Sequence, residues 1–291
     1  MVIHTRRGAV LDRSRNGADV FRLAHRLVRV AAPAAPAAPP SPVAVPATRL
    51  RVLGGFELRV GQRLLIPPVY AQRLLAFLAV RERPQLRSTA AVSLWLDTTD
   101  AKAAANLRTA LWKIRQLADD VVQVNGNYIA LGDHVLVDLS ELTYQARQLI
   151  NPGVASLPPT IDGTASPDAF CGDLLPDWDE EWIHFERERL RQMRCHALEA
   201  LCRRLTHCDR HAEAIDAGQA AVAAEPLRES AHAALIAAHL AEGNLSEARR
   251  QFALYRALLA DALQLQPSVE LQQLVDVACS PDSSIGRASR R

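Results

Sequence analysis

The stretch Asp100–Gln116, DAKAAANLRTALWKIRQ, constrains this chain more than any other. Read as a helix, it lines up Leu107, Leu111 and Ile114 at i, i+4 and i+7, with Ala103 and Ala110 beside them. The opposite face carries Lys102, Thr109, Trp112, Lys113 and Gln116, with Asn106, Arg108 and Arg115 on its shoulders. A helix divided this way must lay one side on a core. Its other side presents ammonium, guanidinium and amide donors, which suit phosphates and base edges in a major groove. An ordinary solvated helix face has the same composition, so the flanking sequence decides between the two.

Upstream, RLRVLGGFELRV alternates Leu50 and Val52, then Phe56, Leu58 and Val60, against arginines and Glu57, the period of half-buried strands. Gly54-Gly55 and Gly61-Gln62 supply turns, and Pro67-Pro68 closes this small sheet. A first helix is expected over Val69 to about Arg81. A second is expected over Ser88 to Leu96, with Ser88 as cap and Val92, Trp95 and Leu96 facing inward. Asp100 then caps the opening helix. Downstream, VVQVNGNYIALGDHVLVDL reads as strand, Asn125-Gly126 turn and strand, since Asn-Gly between alternating apolar residues marks a hairpin. Strands, three helices and a hairpin, with the third helix cationic, make a winged helix-turn-helix.

Charge and composition narrow the reading. The 291 residues leave room for about two domains. A net charge of +2 means that any nucleic-acid affinity must come from local basic surface and not from a polycation. The five cysteines form no CxxC pair and fit a reducing cytosol, so a cytoplasmic location is expected. The apolar run Val30–Ala47 is cut by six prolines and cannot span a membrane as a helix. Residues 1–48 read as a leader and Ala/Pro linker, with one short amphipathic segment at Val20–Val30.

The remainder reads as almost all helix. After Glu141–Ile150 and a Pro/Gly/Ser-rich loop at 151–166, a long helix is expected from Asp177, with Trp178, Trp182 and Phe185 at i, i+4 and i+7. Its acids Asp177, Asp179, Glu180 and Glu181 are favourable at a helix amino end. An offset of 34 aligns RHAEAI with NLSEAR, pairing Glu213 with Glu247, Ala214 with Ala248 and Leu201 with Leu235. That is the period of a tetratricopeptide unit, and Phe252 and Pro226 fall at its aromatic and proline positions. Residues 276–291 read as a mobile tail.

These motifs resemble a known family. LRVLGGFELRVGQRLLIPP, RLLAFLAV, Leu94-Trp95, ANLRTALWKIRQL and VNGNYIAL are similar to the OmpR-like winged helix of the Streptomyces antibiotic regulatory protein (SARP) family. GDLLPDWDEEWIHFERERL through LLADALQLQPSVEL resembles the bacterial transcriptional activation domain that follows it there. The resemblance implies a mainly α chain with a small β component: a winged helix over 49–139 and a tetratricopeptide-like helical domain over 140–275. It further implies a regulator, usually an activator, that binds direct repeats in double-stranded promoter DNA and contacts RNA polymerase or itself through the helical domain. Carried over by position, the DNA-binding residues are Lys102, Asn106, Arg108, Thr109, Trp112, Lys113 and Arg115 on the third helix, with Asn125 and Asn127 on the wing. Lys102, Lys113 and Arg115 are assigned to phosphates, and Asn106 and Thr109 to bases. Arg108 is open between a phosphate and an acidic partner, and Trp112 is expected to pack against the wing or second helix in preference to a thymine methyl. Two positions depart from the family pattern: Leu96 replaces proline after Leu94-Trp95, and Gln264 replaces the glycine ending the last long helix.

Other chemistry fits less well. Cys202, His207, Cys208 and His211 fall within ten positions, but CxxxxHCxxH is not a zinc spacing. The chain contains no GxSxG, HExxH or GxxxxGK[ST], so neither catalysis, a metal, a cofactor nor nucleotide switching is expected. The competing function is a protein-interaction adaptor whose winged helix no longer binds DNA. Retention of Lys102, Arg108, Lys113 and Arg115 on one helix favours DNA binding.

Overall fold

The computed structural model describes residues 47–151, 167–170 and 172–278, without the side chains of Asp168, Ala169 and Ala278. Val45–Arg291 form one compact unit that contains both halves read from the sequence. Residues 1–46, 152–166 and 279–291 lie outside the described residues, whereas Thr48, read as the end of the leader, already begins a strand, and 276–278, read as the start of the tail, close the last helix.

Strands β1 (Thr48–Arg51), β2 (Glu57–Val60) and β3 (Arg63–Leu65) form an antiparallel meander. Leu50, Leu58 and Leu65 point into the core, on one face of the pleat. Helix α1 (Val69–Arg81) follows the two prolines and buries Leu74 through Val80 without interruption, as befits a helix surrounded by core. Next come β4 (Gln85–Leu86), α2 (Arg87–Leu94) and α3 (Asp100–Leu117). Strands β5 (Val122–Asn125) and β6 (Tyr128–Leu131) form the wing, with β4 on its outer edge in the order β4-β6-β5.

Several local expectations change. The second helix starts one residue earlier and stops at Leu94, and Ser88 makes no cap. Its inward residues are Ala90, Ala91 and Leu94, whereas Val92 and Leu96 are exposed. Thr99, not Asp100, is the cap position of α3; Asp100 instead puts its carboxylate in the first turn, where the helix dipole favours it. The wing turn is shifted by one residue. Asn125 pairs with Tyr128, so Gly126 and Asn127 are the central residues, and Gly126 takes the first place with φ +59°. Strand β7 (Val135–Val137), read as part of the hairpin, instead joins β1 in parallel and extends the first sheet to β3-β2-β1-β7.

Helix α4 (Asp138–Ile150) starts directly from β7. The Asp138 carboxylate accepts from the backbone N–H of Val52, Leu53 and Leu139, while burial raises its pKa. The long helix α5 (Glu181–His207) begins four residues later than expected, leaving Trp178 in the preceding segment and Phe185 exposed. Helices α6 (His211–Ala224), α7 (Glu229–Glu242), α8 (Leu245–Leu263) and α9 (Val269–Ala278) complete the chain. Helices α6 and α8 begin 34 positions apart, at His211 and Leu245, so the repeat is one of structure as well as sequence. Leu201, Ala214, Leu235 and Ala248 are all buried at its equivalent places. Gly218 lets α6 approach α7 closely: a Cβ there would lie 3.1 Å from Leu235.

The two halves are tied by more than a linker. Gly54 N–H donates to Asp173 O at 2.7 Å, and Leu175 N–H donates to Val52 O at 2.9 Å. Phe56 stacks on Trp178, and Phe77 meets Trp182 edge-on at 5.6 Å. Arg73 pairs with Glu180, and Arg81 with the buried Glu186. Arg187 donates to the carbonyls of Leu174, Leu175 and Trp178, which fixes the segment that docks on the first sheet. No helix of the described residues is long and apolar enough to cross a membrane.

Candidate nucleic-acid interface

Helix α3 divides as its periodicity requires. Ala103, Leu107, Ala110, Leu111 and Ile114 are buried, while Lys102, Arg108, Thr109, Trp112, Arg115 and Gln116 are exposed and Asn106 and Lys113 are half-buried. Its back packs on α1 and α2, so the front is held by core contacts rather than by its own polar side chains. None of Lys102, Arg108, Lys113 and Arg115 has an acidic partner among the described residues. Among the described residues the acid-paired alternative for Arg108 therefore finds no partner.

Two side chains have more specific geometry. Thr109 Oγ1 donates its proton to Ala105 O at 3.1 Å, so outward it offers lone pairs and a methyl group, not a donor. Such a group can accept from the amino group of adenine or cytosine, or rest against a thymine methyl. Trp112 is 56% exposed, at odds with the expected packing against the wing or α2, and Lys113 Nζ sits 5.2 Å from its ring centroid. The ring therefore steadies a lysine on the open face.

The wing presents exposed Asn125 and Asn127. Asn127 O accepts from Arg87 N–H at 2.8 Å, joining the wing turn to the start of α2. The sequence reading passed over Tyr128, which is half exposed on β6 beside the turn and pairs with Leu86 of β4. The exposed Leu86 opposite it is the only local signal, because β4 is too short to show a period. No group of three His, Cys, Asp or Glu side chains converges as a metal site among the described residues. Cys202 is buried, with its thiol near Ala234 O and its pKa pushed up to about 11 by burial; Cys208 is exposed.

Comparison with known proteins gives this architecture relatives. Residues 164–276 match the bacterial transcriptional activator domain. The regulatory protein AfsR of Streptomyces griseus is 27% identical over 255 residues, covering 84% of this chain and 26% of that protein. AfsR of Streptomyces coelicolor is 29% identical over 251 residues, covering 84% and 25%. The chain thus spans about a quarter of the length of the curated relatives it matches. Among solved structures, EmbR of Mycobacterium tuberculosis, in complex with a low-affinity phosphopeptide, superposes with a TM-score of 0.67. That match covers 80% of this chain and 65% of EmbR at 19% identity, and it shows a shared fold.

Proposed function

We propose that this chain, a SARP-like transcriptional regulator with a winged helix ahead of a bacterial transcriptional activator domain, binds promoter DNA sequence-specifically through α3. The observation that carries the reading is the open cationic face of α3: four bases without an acid, on a helix whose back is fully committed to the core. In this reading α3 enters the major groove and the wing meets the adjacent backbone. Lys102, Arg108, Lys113 and Arg115 hold phosphates, while Asn106 and Thr109 reach base edges. Asn125, Asn127 and the hydroxyl of Tyr128 line the wing side. The site is a direct repeat, and the helical half contacts RNA polymerase to activate transcription. The residues used are all protein donors and acceptors, so no cofactor enters the binding step.

The test is selection of bound fragments from a random duplex library by the purified full chain, with affinity followed against salt. Enrichment of a directly repeated site with a steep salt dependence is the expected result. Absence of any duplex affinity at low salt overturns the reading and transfers the function to the helical repeats as a protein-interaction module.

A further inference from the structure

A cleft of about 300 Å³ lies between the wing, the end of α1, β7 and the first turn of α4, and no residue of α3 lines it. Its apolar walls include Leu78, Ile129, Val135 and Val137, all buried. Along β5, Gln123 and Asn125 alternate with the buried Val122 and half-buried Val124, so the pleat turns both amides to the cleft. Tyr128 stands opposite Asn125 and adds its phenol to the same wall. These three side chains have no hydrogen-bond partner among the described residues. Two local turns set charges on the rim. Helix α1 ends on Glu82 in the left-handed region at φ +53°, which carries the chain round to Arg83; Glu82 itself is answered by Arg147 of α4. At Gly132 a Cβ would lie 2.5 Å from Asp120 O, so the turn from the wing into β7, which presents Asp133, is open only to glycine. Arg83 and Asp133 are exposed and line one cleft, yet they pair neither with each other nor with any other charge among the described residues.

Opposite charges that share a rim without meeting are complementary to a molecule that carries both signs. A phosphate would be repelled by Asp133 and a polyamine by Arg83. The apolar walls ask for a hydrocarbon or aromatic group, and the volume is at the lower end for small-molecule sites. We infer that the cleft binds a small zwitterion with an apolar side chain, of the free α-amino acid class. Its carboxylate meets Arg83, its ammonium meets Asp133, and its side chain rests on Leu78 and Val137. The amides of Gln123 and Asn125 complete its hydrogen bonds. Asn125 and Tyr128 also belong to the wing side of the DNA-binding reading, so this occupant and a duplex draw on the same two side chains. Each should weaken the other by one common factor. Only that consequence rests on the DNA-binding reading; the binding of the zwitterion does not.

The experiment is isothermal titration calorimetry of the full chain with L-phenylalanine, L-leucine and L-tryptophan. Each is compared with the amine and the acid that lack one of its charges, 2-phenylethylamine and 3-phenylpropionate in the case of phenylalanine. Saturable binding of at least one amino acid is expected, about tenfold tighter than either analogue. Arg83→Ala should lose the preference over the amine and keep that over the acid; Asp133→Asn should do the reverse. Both positions are exposed and unpaired among the described residues, so the fold should stand in either variant. Absence of saturable binding by all three amino acids overturns the inference. So do analogues that bind as tightly as their parents, or variants that leave both preferences unchanged. Binding that leaves duplex affinity the same at saturation overturns the competition for Asn125 and Tyr128, while failure of library selection alone strikes only the DNA-binding reading.

Discussion

The basic side chains of α3 and those of α5 meet opposite fates. Along α5, Arg189 pairs with Glu186, Arg191 with Glu188 and Glu225, and Arg203 with Glu199, while Arg187 is consumed by backbone carbonyls. On α3, Arg108, Arg115 and Lys102 meet no acid, and Asp100 is the helix's one carboxylate. The difference lies in where acids are placed, not in how many bases there are. A chain of net charge +2 makes a strongly positive helix by withholding carboxylates from it, and sets the arginines of α5 against acids and carbonyls of the helical half.

The largest expected effect comes from breaking the internal class. Glu199 is 2% exposed and accepts from Arg203, from Arg228 at the start of α7 and from Ser230. Arg228→Ala leaves a buried carboxylate short of its bridging partner and should cost about 3 kcal/mol, read from the urea midpoint. Duplex affinity of the folded fraction should be unchanged, because α3 rests on α1 and α2 and not on α7. Lost DNA affinity in the folded variant would show that the two classes are not separate.

The open class should behave in the reverse manner. Lys113→Ala with Arg115→Ala should weaken binding to every sequence and lower the salt slope by roughly 2, with stability shifted by no more than about 0.5 kcal/mol. Asn106→Ala or Thr109→Val should instead relax preference at one or two base pairs, at about 1–3 kcal/mol. Thr109→Val is the sharper of the two, since it exchanges the hydroxyl, with its outward lone pairs and its bond to Ala105 O, for a methyl of the same shape. Identical behaviour of the two sets would erase the distinction between groups that position and groups that read.

How much of this was legible follows the reach of each interaction. The division of α3 depends on residues three and four apart, and every one of its five buried positions follows from that spacing. The 34-residue repeat was equally local to see. What failed was non-local or depended on packing. Val135–Val137 looks like a continuation of the wing, yet it pairs with β1, more than eighty positions away. Phe185 sits at helical spacing from Trp178 and Trp182, but α5 begins only at Glu181, so Trp178 turns toward Phe56 and Phe185 stays outside. Tyr128 was missed because its partner strand is two residues long.

A departure from the family pattern offers a smaller test. Gln264 ends α8 in the left-handed region at φ +57°, where the family's glycine would carry no Cβ penalty. Its exposed side chain makes no compensating contact among the described residues. Gln264→Gly should therefore raise stability by about 0.5–1 kcal/mol, the left-handed strain being larger than the entropy that glycine adds to the unfolded chain. Leu96, the other departure, is exposed and touches no core, so its replacement should move stability little.

The smallest expected effect is the most informative about why open charge is kept. Arg49 faces Arg59 across β1 and β2, and Arg59 shares its one acid with Arg51. A glutamate at position 49 would set an opposite charge against Arg59 and should stabilise the fold by about 0.2–1 kcal/mol in thermal or urea unfolding. On α3 no comparable gain is available, because its bases lie along a helix face without a like charge fixed directly opposite. If Arg49→Glu gains stability, the sheet carries a like-charge pair that costs it free energy, whereas the open bases of α3 cost their helix nothing comparable. If it loses stability, Arg49 and Arg59 do not repel across the sheet as the register implies.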